Sequence, residues 1–149
     1  MTAVFQRVEH ASVSVNGEIT GSCGHGCLIL LGVACGDSER DADKLAAKLA
    51  KLRVFSDENG KMNLSVIDVA GSALVISNFT LLADYSHGNR PDYLGAAAPD
   101  AANALYEYFC GALAKTGVPV SRGVFGADMR VELVNDGPVT LVLDSRVLK

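Results

Sequence analysis

Met129-Arg-Val-Glu-Leu-Val-Asn-Asp-Gly-Pro-Val-Thr-Leu-Val-Leu143 is the stretch from which the fold is read. Its first five residues alternate apolar and polar, the period of a strand with one buried face, before Val134 ends the run. Its last five are almost continuously apolar, so Val139 to Leu143 is expected to be a buried strand. Between the two runs, Asn135 to Pro138 is turn chemistry. Gly tolerates positive φ, Pro fixes its own φ and donates no N–H, and a bond before proline is one of the few places a cis peptide is tolerated. Most such corners only reverse the chain. A rigid corner held by flanking strands can also present carbonyl oxygens at fixed positions.

Working outward, other strands announce themselves in the same way. Ala3 to Val8 and Ala11 to Val15 are short β-like runs, and Asn16-Gly17 is a hairpin signal that should pair Glu18 to Ser22 back onto them. Cys27 to Val33 is apolar on both faces, which marks a central strand. Arg53 to Ser56 is a brief strand, and Ser72 to Ser77 is a second buried-looking one that continues into Asn78-Phe79-Thr80-Leu81. Val118 to Gly123 completes the set.

Two helices interrupt them. Ser38-Glu-Arg-Asp41 has the form of a capping box, followed by Ala42, Leu45, Ala46, Leu49 and Leu52 at helical spacing. Its lysines, Lys44, Lys48 and Lys51, form a stripe that is either a solvated face or a surface for phosphates. Pro99 to Thr116 predicts the second helix, with Ala101, Leu105, Tyr108, Phe109, Ala112 and Leu113 as its apolar face. Ala83 to Ala98 has no sustained period and predicts a long loop, in which His87, Arg90 and Tyr93 are candidates for substrate contact. One α+β domain spanning residues 1–149, with a mainly antiparallel sheet and two main helices, is the economical architecture.

With 149 residues, 49% hydrophobic and 20% charged, the chain has the makeup of a single domain with a real core. A net charge of −4 argues against holding nucleic acid by bulk electrostatics, though not against a local basic patch. No run approaches the length of a membrane span and the N-terminus lacks the build of a signal peptide, so a cytoplasmic protein is expected. Four cysteines without a framework spacing fit reduced thiols. Cys23, His25 and Cys27 invite a metal reading, but three ligands within five residues strain the geometry, and a glycine-rich turn is the simpler account. No metal or cofactor is expected.

Side chains alone point weakly to chemistry. There is no Gly-x-Ser-x-Gly elbow and no glycine-rich phosphate loop, and the only histidines, His10, His25 and His87, each lie in or beside a predicted turn or loop. What remains is Ser77-Asn-Phe-Thr80 at a strand end, where polar groups need partners or ligands, together with the Gly-Pro corner.

Taken in order, Ala3-Val-Phe-Gln-Arg7-Val8, Leu30-Leu-Gly-Val33, Gly60-Lys-Met-Asn-Leu64, Ser77-Asn-Phe-Thr-Leu81, Arg90-Pro91, Phe125-Gly-Ala-Asp-Met129 and Asn135-Asp-Gly-Pro-Val-Thr140 resemble the D-aminoacyl-tRNA deacylases over nearly the whole chain. These hydrolyse the ester joining a D-amino acid, or glycine, to tRNA. The chain departs from the family pattern at Asn78, where Gln is usual; the amide is kept and one methylene lost. The resemblance implies a barrel-like β core and a homodimer in which a cis Gly137-Pro138 motif projects across the interface into the partner's site. There its carbonyls would exclude the side chain of an L-amino acid. It further implies that Arg7 locks that motif and that Ser77, Asn78, Phe79 and Thr80 form the catalytic segment. Phe125 and Met129 would lie nearby, around the aminoacyl group and terminal adenosine.

Two hydrolytic routes stay open: Thr80 as nucleophile, or attack by water with backbone N–H groups near Phe79 and Thr80 holding the oxyanion and the ribose 2′-OH assisting. The second is favoured because no base for Thr80 is visible. The alternatives from other classes are a non-catalytic module that binds aminoacyl-tRNA or associates with a synthetase, and a general esterase.

Overall fold

In a computed structural model that describes residues 1–149, three strands of the main sheet pair directly with the first one, β1 (Thr2–Val15). It turns at Asn16-Gly17, both with positive φ, into β2 (Glu18–Cys23), and after a short break β3 (Gly26–Gly32) carries on antiparallel to the first half of β1. The two runs read as Ala3 to Val8 and Ala11 to Val15 are therefore one strand. On its other edge β1 pairs antiparallel with β8 (Arg130–Asp144) from Thr2↔Asp144 to Ser14↔Arg130. Beyond β3 the sheet becomes parallel, through β6 (Ser72–Ser77) and then β7 (Val120–Arg122). Four of the six strand pairings are antiparallel, the remaining one being the separate ribbon of β4 (Phe55–Ser56) and β5 (Met62–Leu64). The sheet curls into a barrel-like form, bringing β2 against β7. Gly21 permits this approach, since a Cβ there would collide with the Arg122 carbonyl.

Helices α1 (Glu39–Lys51) and α2 (Pro99–Lys115) cover one face of the sheet. The capping box at Ser38 and Asp41 is formed, and Ala42, Leu45, Ala46 and Leu49 are buried as their spacing predicts. The α2 face is rotated from the expected one: Ala102, Tyr106, Phe109, Cys110 and Leu113 are buried, while Ala101 is exposed and Leu105, Tyr108 and Ala112 are half-buried. The rotation lets the Tyr106 hydroxyl reach the Val75 carbonyl on β6 at 2.7 Å. Phe5, Phe55 and Phe109 are fully buried in the main core, each contributing about 1.5–3 kcal/mol through apolar burial. A smaller cluster with Val8, Val13, Leu28, Leu74 and Ile76 fills the other side of the sheet.

Two further expectations are corrected. Asn135 to Pro138 is not a hairpin corner between two strands, because both flanking runs belong to β8 and pair with the same neighbour. Nor is Val139 to Leu143 a buried strand: it alternates, with Val142 74% exposed, because β8 is an edge strand with one unpaired side.

Candidate active site

The Gly-Pro segment is a bulge. Gln6 pairs with Thr140 and Val8 with Asn135, so residues 136–139 stand opposite the single residue Arg7. Extra residues that no partner opposes must bend away from the ladder, and here they leave Gly137 and Pro138 exposed. The peptide between them is cis, and Gly137 has φ +128°, a conformation that disfavours any residue with a Cβ. A Cβ at Gly137 would also lie 2.8 Å from Arg7 Nη2.

Behind the bulge the side chains form a clamp. Arg7, only 9% exposed, donates from Nε to the Asp136 carbonyl at 3.1 Å, pairs with the Asp136 carboxylate at 3.1 Å, and donates from Nη1 to the Val54 carbonyl at 2.6 Å. A buried guanidinium with its donors so aimed is a rigid fork rather than a mobile cation. Asn135 bridges the feet of the loop: its amide nitrogen donates to the Arg7 carbonyl at 2.9 Å and the Val139 carbonyl at 3.1 Å. Its oxygen accepts from the Thr140 hydroxyl at 3.4 Å, and that hydroxyl accepts from the Gln6 amide at 3.3 Å. The bracing by Asn135 and Asp136 has no separate signal in the sequence beyond lying beside the Gly-Pro pair, and that by the distant Val54 carbonyl has none.

The second region is the end of β6. The strand stops at Ser77, and Phe79–Leu82 forms a 3₁₀ turn instead of extending the strand as read from the sequence. Asn78 closes the strand end by donating its N–H to the Leu31 carbonyl at 2.8 Å. The leading amides of such a turn have no acceptor within it, and at this one they belong to Phe79 and Thr80, both exposed. The Thr80 hydroxyl donates to Asn78 Oδ1 at 2.5 Å. Phe79 meets Tyr93 edge to face, ring centres 4.9 Å apart, so the long 83–98 loop delivers one of its three candidates to the turn. Arg90 and His87 are exposed elsewhere on that loop.

Phe125 and Met129 fall on opposite faces of the sheet. Phe125 packs with Tyr106 against the main core, 6.1 Å between ring centres; Met129 packs against the smaller cluster. Both approach β6 just before Ser77, Phe125 through the Tyr106 bond to Val75, and Met129 beside Ile76. Cys23, His25 and Cys27 do not converge. The two thiols are buried in different clusters with burial pushing both pKa values up, His25 packs edge-on against Phe55, and no group of three His, Cys, Asp or Glu is placed to hold a metal ion.

Within one chain the two regions stand apart. Arg7 is level with Cys27 on β3, whereas Ser77 is level with Leu31 and, through it, Ala3. Three strand spacings and four residues of rise put the bulge and the turn on the order of 20 Å apart along the sheet.

A model of a family described as D-Tyr-tRNA(Tyr) deacylase matches residues 4–144. A curated D-aminoacyl-tRNA deacylase of Anaeromyxobacter dehalogenans is 60% identical over 99% of both chains. Among solved structures, one titled c-Myc DNA Unwinding Element Binding Protein superposes with a TM-score of 0.92 at 41% identity, covering 97% of this chain and 98% of its own. Another, titled as a probable eukaryotic D-amino acid tRNA deacylase, shares the fold with a TM-score of 0.80 at 17% identity over 96% and 99%. With a matching family model over nearly its full length and a relative of such identity, this chain belongs to the D-aminoacyl-tRNA deacylase family of hydrolases.

Proposed function

We propose that the protein hydrolyses the ester of D-aminoacyl-tRNA, and of glycyl-tRNA, in the cytoplasm as a homodimer, and spares L-aminoacyl-tRNA through the main chain of Gly137 and Pro138. The observation that carries this reading is the braced, exposed bulge itself. Discrimination by a clash requires a wall that cannot yield. With the Asp136 and Val139 carbonyls on either side held by Arg7 and Asn135, the main chain of Gly137 and Pro138 between them has no rotamer to change, so it excludes the side chain of an L-residue while leaving room for hydrogen. The wall is far from the Ser77–Thr80 turn of its own chain, so it serves the turn of a second copy. The free edge of β8, with Val134 and Val142 exposed, offers the surface on which two copies can meet.

The chemistry follows from what the turn presents. Exposed Phe79, with Tyr93 against it, is a platform on which the terminal adenosine can stack. The N–H groups of Phe79 and Thr80 receive the oxyanion that develops as water adds to the ester carbonyl. The ribose 2′-OH of the substrate assists departure of the neighbouring oxygen. Against Thr80 as nucleophile stands its partner: the hydroxyl gives its proton to the Asn78 amide oxygen, far too weak a base to activate it.

A second reading is favoured by one finding, the close structural relative whose title names DNA binding: a module that holds nucleic acid without cutting the aminoacyl ester. Incubating the protein with D-Tyr-tRNA and L-Tyr-tRNA separates the two. Rapid loss of the D-ester with the L-ester preserved is expected; binding without ester loss would reject the enzyme, and equal loss of both would reject the filter.

A further inference from the structure

Helix α1 sorts its charges by face. Asp43 accepts the Tyr108 hydroxyl at 3.3 Å toward α2, and the Tyr108 phenol is pushed up mainly by that bond and in smaller part by the charge of Glu39, which faces the same way. Asp41 is occupied by Ser38 and Ser145. On the remaining side Lys44, Lys48 and Lys51, with Ala47, Leu148 and Lys149, line a groove of about 300 Å³ whose lining residues carry no acidic side chain, the one carboxylate among them being the terminal group of Lys149, which is not ion-paired with any of the lysines. Its far wall is the C-terminal segment, tied by a bond of 3.4 Å from Lys44 Nζ to the Leu148 carbonyl. No lysine of the chain is in an ion pair with a carboxylate; the cations so paired are the Met1 amine, Arg7, Arg130 and Arg146.

A solvated helix face ordinarily mixes its signs, because like charges four residues apart oppose the helix and opposite ones support it. Arg40, Lys44 and Lys48 follow one another at that interval. Such a row, in a protein of net charge −4, is relieved by an external anion. The stripe from Lys44 to Lys51 extends about 10 Å at 1.5 Å per residue, enough for about three successive phosphates of one strand of a duplex. It also begins at the right end of the molecule. Ser77 pairs with Leu31 near the end of β3, and α1 starts seven residues after that strand, so the stripe runs away from the turn where the 3′ end would enter.

We propose that the groove between α1 and the C-terminal segment holds the phosphate backbone of the tRNA whose aminoacyl end occupies the Ser77–Thr80 site. This rests on the deacylase reading, but its test does not need the reaction. Binding of uncharged tRNA is measured as a function of salt for the unaltered protein, for the triple variant Lys44→Ala/Lys48→Ala/Lys51→Ala, and for Lys115→Ala, whose side chain lines the neighbouring groove beside Tyr108. At about 0.9 per neutralised phosphate, the triple variant should lower the slope of log K against log salt by about 2.7 and weaken binding at least tenfold at low salt. Lys115→Ala should match the unaltered protein. Alanine favours the helix; should the triple variant nevertheless unfold on heating far earlier than its parent, Lys48→Gln alone should lower the slope by about 0.9. An unchanged slope and affinity would overturn the proposal. So would loss of binding to vesicles of anionic phospholipid with tRNA binding intact, since the groove would then serve a membrane surface.

Discussion

The Gly137-Pro138 bulge and the Ser77–Thr80 turn are both short and both exposed, yet they are held in opposite ways. Arg7 and Asn135 together take part in four hydrogen bonds and an ion pair around the bulge or its feet, and a fifth bond anchors Arg7 to the Val54 carbonyl. The turn has one side-chain hydrogen bond, Thr80 to Asn78, and beyond that only the Asn78 N–H on the Leu31 carbonyl and the Phe79 ring against Tyr93. The difference matches the roles proposed for the two regions. A surface that discriminates by exclusion works only if yielding is costly. A surface that stabilises developing charge needs donors that are fixed but unspent, and the head of a 3₁₀ turn provides them without further bracing.

That contrast breaks most visibly at Arg7. Arg7→Ala leaves the Asp136 and Val54 carbonyls without their donor and the Asp136 carboxylate without its partner. Loss of about 2–3 kcal/mol in urea unfolding is expected, below the full figure for a buried pair because Asp136 is partly solvated, together with increased hydrolysis of L-Tyr-tRNA. Gly137→Ala comes next. It puts a Cβ against Arg7 at a φ of +128°, and about 2 kcal/mol of destabilisation is expected with a fall in the D/L ratio. Asn135→Ala frees the feet of the loop and should cost about 1–2 kcal/mol by the same unfolding measurement. The smallest effect belongs to the turn. Thr80→Ala should reduce single-turnover deacylation by no more than about tenfold, a change of roughly 1.4 kcal/mol in the barrier; a drop of a thousandfold or more would make Thr80 the nucleophile.

The sequence disclosed these regions unequally, for physical reasons. The start and apolar face of helix α1 were legible because its cap and its spacing are local properties, whereas Leu52, read as part of that face, is the extended C-cap beyond its end. The bulge was visible as turn chemistry but misplaced as a hairpin corner: nothing in Asn135 to Pro138 says that both flanking runs share one neighbour, which is a property of β1. The exposure of Val142 was hidden for a related reason, since an apolar run on an edge strand reads the same as a central one. Ser77 to Thr80 stood out as a polar strand end, and its groups include backbone amides that no residue type advertises. Asn135 and the Val54 carbonyl escaped as partners because Arg7 meets them only through long-range pairing.

The central claim is that the braced bulge of one chain completes the turn of another. It is tested most directly by mixing two single variants, Pro138→Cys and Phe79→Cys, both made with the exposed Cys35 changed to Ser, and treating the mixture with a short bis-maleimide. The expected result is a cross-linked pair of chains in the mixture and none from either variant alone. A mixture that yields no cross-linked pair, or a doubly substituted chain that cross-links only within itself, would contradict it.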